Sequence, residues 1–302
     1  VTDTRKNDAG SGKVGVGLLY QKEFQPFIVE HIDLLDYMEV VPDTAWTDHG
    51  EGATPRYVDD REALHFFQQV RERIPIVSHS IGLSIASAHR FRQEHVDQIR
   101  RWDRMFDFPW HSDHLWFSLV NDPVDGEYLA GVAFPVVFDR PMLEMLVDRV
   151  HRVRDQIDKP FLLENNVSYI EYPDQDFDEP TFFNEMCTRS GCGILLDLHN
   201  IYVNWQNNAT DMEAFVADLD LSHVVEIHLG GGLHHEGFYL DAHSGRVPED
   251  LWGLVGDTVR ASPNLRGITF ELLGSWYPKM GPDALQETLL RMRELAQAVG
   301  VA

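Results

Sequence analysis

Three histidines and three acids recur through this sequence in places where they could hold a divalent transition metal. His79, His114, Glu164, Asp197, His228 and Glu271 each close, to within a residue, a short run of apolar, β-branched or aromatic residues. Imidazole nitrogens and carboxylate oxygens are ligands of Zn2+, Mn2+ and Fe2+, and no thiolate joins this set. Gathered into one small volume, six such groups would repel or desolvate one another unless cations neutralised them. Two further stretches add donors. Leu198-His199-Asn200 follows Asp197, and Asp241-Ala242-His243 lies beyond the Gly230-Gly231-Gly232 segment. Eight or nine donors exceed what one such ion takes, so a multinuclear centre is implied.

The elements that must position these groups read as eight strand–helix repeats. Strand-like runs cover residues 14–18, 36–41, 74–79, 110–115, 161–164, 193–197, 224–229 and 267–272. Between them, helical patterns cover residues 59–72, 94–106, 141–157, 180–189, 212–218, 251–261 and 283–299. Such alternation in an undivided chain of 302 residues predicts an α/β fold, a single (β/α)8 TIM-type barrel over residues 14–302. A doubly wound sheet is the alternative, but no Gly-rich dinucleotide turn follows the first run. In a barrel the six strand-end groups would share one mouth, at the C-terminal face where barrel enzymes do their chemistry.

Other candidates take blander readings. His31, His65, His89, His95, His151 and His223 are expected to be hydrogen-bonded structural residues, and His234 and His235 exposed loop residues. Glu39, which ends the second run, is expected to support a ligand or touch substrate rather than ligate. His199 is open to three readings, an extra ligand, a proton shuttle or an outward-facing residue, and the outward-facing one is the expectation. Residues 46–55 and 121–135 read as acidic connections over the mouth, and residues 1–13 as a flexible polar tail.

Composition narrows the function. Asp and Glu number 49 against 25 Lys and Arg, a formal charge of −24, which would repel a nucleic-acid backbone or an anionic membrane. The two cysteines, Cys187 and Cys192, cannot build a disulfide framework or a four-thiolate zinc site and are expected to be small buried residues. No run is apolar enough for a membrane span and no signal-peptide core opens the chain, so a cytoplasmic location is expected.

The phrases IVSHSIGLS (76–84), SDHLWFS (112–118), LLENNVSYI (162–170), GCGILLDLHNIYVN (191–204), EIHLGG (226–231), DAHSGRVP (241–248) and TFELLG (269–274) resemble the multinuclear non-haem iron-dependent oxidases. That family includes the methanobactin biosynthesis oxidase and the 3-thiaglutamate pathway oxidase. The resemblance implies a barrel holding two or three iron ions of mixed Fe(II)/Fe(III) valence, with O2 as co-substrate. It implies that His79, His114 and Glu164 ligate one iron and carry the catalysis. Glu164 would bridge to a second iron held by Asp197, His228 and Glu271, while Asn200, Asp241 and His243 would ligate a third. The substrate implied is a ribosomally made precursor peptide, modified most often at cysteine, and a separate partner protein would recognise its leader. A coordinated substrate thiol would be deprotonated. The rival reading is a divalent-metal hydrolase or isomerase of the xylose-isomerase-like barrels, although no strand run ends in the lysine that sugar isomerases place near their metals. A non-catalytic scaffold would be expected to lack some of these donors.

Overall fold

The computed structural model describes residues 14–122, 124, 126–170 and 172–299, so the tail expected at residues 1–13 lies outside the described residues. Among the described residues, fourteen strands are numbered in chain order. Eight of them, β1 (Gly15–Leu19), β2 (Tyr37–Val40), β5 (Ile76–Ser80), β6 (His111–His114), β9 (Phe161–Glu164), β10 (Gly193–Asp197), β11 (Val224–Leu229) and β14 (Gly267–Phe270), close into a parallel barrel in the order β1-β14-β11-β10-β9-β6-β5-β2. The expected barrel is therefore the fold, and the doubly wound sheet is not. The other six form three antiparallel hairpins: β3 (Trp46–Asp48) with β4 (Tyr57–Asp59), β7 (Phe117–Asp122) with β8 (Gly126–Phe134), and β12 (Leu233–His235) with β13 (Phe238–Leu240). The first two fall largely where the sequence reads as loop, because their partly exposed strands lack the buried run that marks a barrel strand.

Local chemistry accounts for the helix starts between the strands. Asp60, Asp139 and Asp178 each accept from backbone N–H groups of the following turn, capping helices Arg61–Arg71, Arg140–Arg154 and Glu179–Ser190. Proline follows in the first turn of the last two, where its missing N–H costs nothing.

Strand alternation sorts the side chains onto two sides. Met38, Val40, Leu163, Leu196 and Phe270 face outward into the main core against the helices. Tyr37, Val77, Trp110, Leu162 and Leu195 form a separate cluster inside the barrel near its N-terminal end. Two glycines make room for it: a Cβ on Gly17 or Gly267 would fall within the Tyr37 side chain. Tyr37 thereby reaches the centre of the barrel, where its hydroxyl meets Glu226 at 3.1 Å and Thr269 at 2.8 Å. Above this plug the interior turns polar.

Candidate metal centre

The C-terminal halves of the strands bring His79, His114, Glu164, Asp197, His228 and Glu271 together. Donor atoms of His79, His114 and Glu164 lie within 4.8 Å of one another, and so do those of Glu164, Asp197, His228 and Glu271. Glu164 belongs to both groups. Its Oε2 stands 2.8 Å from His114 Nδ1 and 3.4 Å from His79 Nε2, while Oε1 stands 3.7 Å from His228 Nδ1. Glu271, one residue past β14, is 3.3 Å from His228 Nδ1 through Oε1 and 3.7 Å from His243 Nε2 through Oε2.

The surrounding network fixes which atoms are free to ligate. The Ser112 hydroxyl donates to the Ser78 carbonyl and so accepts from His79 Nδ1, leaving His79 Nε2 with its lone pair toward the cluster. Burial and the neighbouring His114 and His228 push the His79 pKa well below its usual range, so its ring is neutral. Trp116 stacks on His114 at a centroid distance of 3.8 Å and holds its plane.

A ladder of asparagines builds the next wall. Helix Leu198–Asn208 starts directly after β10, with Asp197 as its cap accepting from Asn200 N–H. One turn apart on this helix, Asn200, Asn204 and Asn208 donate to the carbonyls of Asn165, Asn166 and Ser168. Because the Asn200 amide group is spent on that donation, its Oδ1 is left as an acceptor, buried and without a hydrogen-bond partner. Glu164 Oε2 and His228 Nδ1 are orphaned in the same way. Buried polar atoms without partners are costly, and cations held at this mouth would satisfy them. Burial and the charges of Glu164 and Glu271 push the Asp197 carboxyl well above its usual range, which a cation would also relieve.

Asp241 and His243 approach from the loop after β13. His243 Nε2 is 2.9 Å from Asp241 Oδ1, and its backbone takes a left-handed φ of 43° that turns the ring inward. His199 contradicts the outward expectation. It is fully buried, and its Nδ1 lies 3.1 Å from Asp241 Oδ1. The helix that begins at Leu198 turns the side chain back under the loop, which a strand-end reading could not foresee. Of the remaining histidines, His234 and His235 are exposed on β12, and His95 is buried beside Asp43. Cys187 and Cys192 are both buried, with their sulfurs 3.6 Å apart.

Two interior residues escaped the sequence reading. Glu226 sits two positions before His228, and Asn166 two positions after Glu164, 3.2 Å from His114 Nδ1. The period of two along β11 was the signal for Glu226, whereas Asn166 lies past the end of β9, where that period no longer runs. Among the described residues, no helix is long and apolar enough to cross a membrane.

Comparison with known proteins identifies a family and a fold. Residues 13–272 match the family described as RiPP precursor modification enzyme MbnB/TglH/ChrH. A UPF0276 protein of Chromobacterium violaceum is 31% identical over 229 residues, covering 74% of this chain and 78% of its own length. One of Caulobacter vibrioides is 28% identical over 80% of each chain. Solved structures sharing the fold include the IOLI protein with a bound zinc atom, at TM-score 0.61 and 12% identity over 95% of this chain and 99% of that one. A D-psicose 3-epimerase follows at TM-score 0.59 and 11% identity, over 95% and 100% of the two chains.

Proposed function

The chain belongs to the MbnB/TglH/ChrH family of RiPP precursor modification enzymes, and from that premise we propose that it is a multinuclear iron-dependent oxidase acting on a ribosomally made precursor peptide, with cysteine as the target residue and O2 as the oxidant. One observation carries the reading: the buried carboxylate of Glu164 belongs both to the donor group with His79 and His114 and to the one with Asp197, His228 and Glu271. His79, His114 and Glu164 would hold one ion, Glu164, Asp197, His228 and Glu271 a second, and Asn200, Asp241 and His243 a third. Iron bound there would supply thiolate capture and O2 reduction.

The chain's own groups do the remaining work. His79 arrives neutral and oriented by Ser112, so it binds without first losing a proton. The asparagine ladder holds the loop from Asn165 to Ser168 rigid beside the ions. Next to Asn166 opens a cleft of about 380 Å3 whose walls include Leu115, Val136, Ser168, Tyr172 and Asn208. An extended peptide seated there, with a separate partner protein holding its leader, would present a side chain to the mouth.

Protein purified without oxygen is expected to carry at least two iron ions per protomer and to consume O2 with a peptide encoded beside its gene. Full activity with zinc as the sole metal, or turnover without O2 or another oxidant, would overturn the oxidase reading in favour of a hydrolase or isomerase.

A further inference from the structure

Beneath the ligand layer this barrel keeps polar side chains at a level where barrels ordinarily pack branched apolar ones. Glu39 on β2 and Glu226 on β11 are both fully buried there. Their surroundings differ. Glu226 accepts from the Tyr37 hydroxyl at 3.1 Å, from Thr269 Oγ1 at 2.7 Å and from Trp110 Nε1 at 2.7 Å. It is fully engaged with the plug below. Among the described residues Glu39 has one donor facing it, His228 Nε2, which stands 3.1 Å from Oε1 and 3.2 Å from Oε2. Glu226 Oε1 lies farther from that nitrogen, at 3.8 Å.

An imidazole whose Nε2 donates a proton keeps its lone pair on Nδ1, and Nδ1 is the atom that His228 turns toward Glu271 and Glu164. From this contact we infer that Glu39 is the positioning residue of the metal centre. It fixes the His228 tautomer from inside the barrel and, as an anion behind the ring, makes Nδ1 a stronger donor. The inference rests on the metal reading above.

The contact also makes the two strand-held ions unequal. His228 is backed by a carboxylate, whereas His79 is backed by the neutral hydroxyl of Ser112. Negative charge behind a ligand favours the higher positive charge on its ion. The ion at Asp197, His228 and Glu271 is therefore the more easily oxidised of the pair.

The test compares Glu39→Gln with the unmodified chain. Gln has the same shape and can still accept from Nε2, but it removes the charge. Folding is checked by circular dichroism, Fe2+ affinity by anaerobic chelator competition, and the reduction potential by titration of the loaded protein. Glu39→Gln should fold, lose about 10- to 100-fold in affinity at one strand-held ion and shift that ion's potential upward. Glu39→Asp, which keeps the charge, should recover part of both. A folded Glu39→Gln with unchanged affinity and potential overturns the inference while leaving the metal reading intact. An unmodified chain that binds no iron would instead remove the metal reading itself. Should Glu39→Gln fail to fold, 15N-histidine spectra of the unmodified chain loaded with zinc decide the matter. A proton on His228 Nε2 sustains the inference, and a proton on Nδ1 overturns it.

Discussion

The strand-borne and loop-borne halves of the cluster are built differently. His79, His228 and Glu164 stand on barrel strands and Glu271 one residue beyond one, with side-chain exposures of 0 to 5%. Asp241 and His243 come from a loop, with exposures of 23% and 21%. The strands are fixed by ladders on both sides. The loop hangs on single bonds: Asp241 N–H to the Tyr169 hydroxyl, Ser244 N–H to the Gly231 carbonyl and Leu273 N–H to the His243 carbonyl. The strand layer was therefore preorganised by folding, whereas the loop can open at the cost of a few bonds. An enzyme that must admit a peptide and exchange its contents gains from having both.

Replacing Glu164 by Gln strikes the half on which both proposed strand-held ions would depend. Both should be lost or disturbed together, with iron content falling by about two per protomer as measured by plasma mass spectrometry. If one ion keeps its spectrum, Glu164 does not bridge. Replacing Asp241 and His243 together by Ala is the smaller lesion. It should remove about one iron, and in the unmodified protein that same ion should leave first under a chelator, since ordering a loop costs conformational entropy that a strand end has already lost. An unchanged iron count from a preparation holding three would show that the loop is no ligand, and an unfolded double variant would show that it is structural.

The contrast also explains what could be read from the sequence. Barrel strands such as Phe161–Glu164 and Gly193–Asp197 are apolar runs up to a terminal donor because both faces are buried, so their ends, and the donors on them, were visible. The polar plug was less legible. Gly17 and Gly267 show no pattern of their own, and their role follows from Tyr37, a residue distant in sequence from Gly267. His199 was misread because the helix beginning at Leu198 carries little amphipathic signal: seven of its first residues, Leu198 to Asn204, are buried all round. Hairpins β3–β4 and β7–β8 eluded the reading because partly exposed strands leave neither a continuous run nor a strict alternation.

His199 provides the finest probe of the difference between the halves. It stands on the helix after β10, within the rigid part, yet its Nδ1 is directed at Asp241 on the loop. Asp241 is thus held between two imidazoles. Burial works to raise its pKa, but His243 and His199 outweigh that and keep it well below the usual carboxylate range. Two roles are open to His199: orienting Asp241, or ligating through Nε2, which is buried and has no hydrogen-bond partner. His199→Phe separates them, since it fills the same fully buried space without either nitrogen. If His199 orients the loop ligand, this variant should keep all its ions at saturating iron but bind the loop ion about tenfold more weakly, with the strand-held ions unchanged. If His199 is itself a ligand, the ion count should fall even at saturation, as in the Asp241 and His243 double variant. Iron affinity and content indistinguishable from the unmodified chain would show that the contact with Asp241 contributes to neither, and that the loop is positioned by its backbone bonds alone.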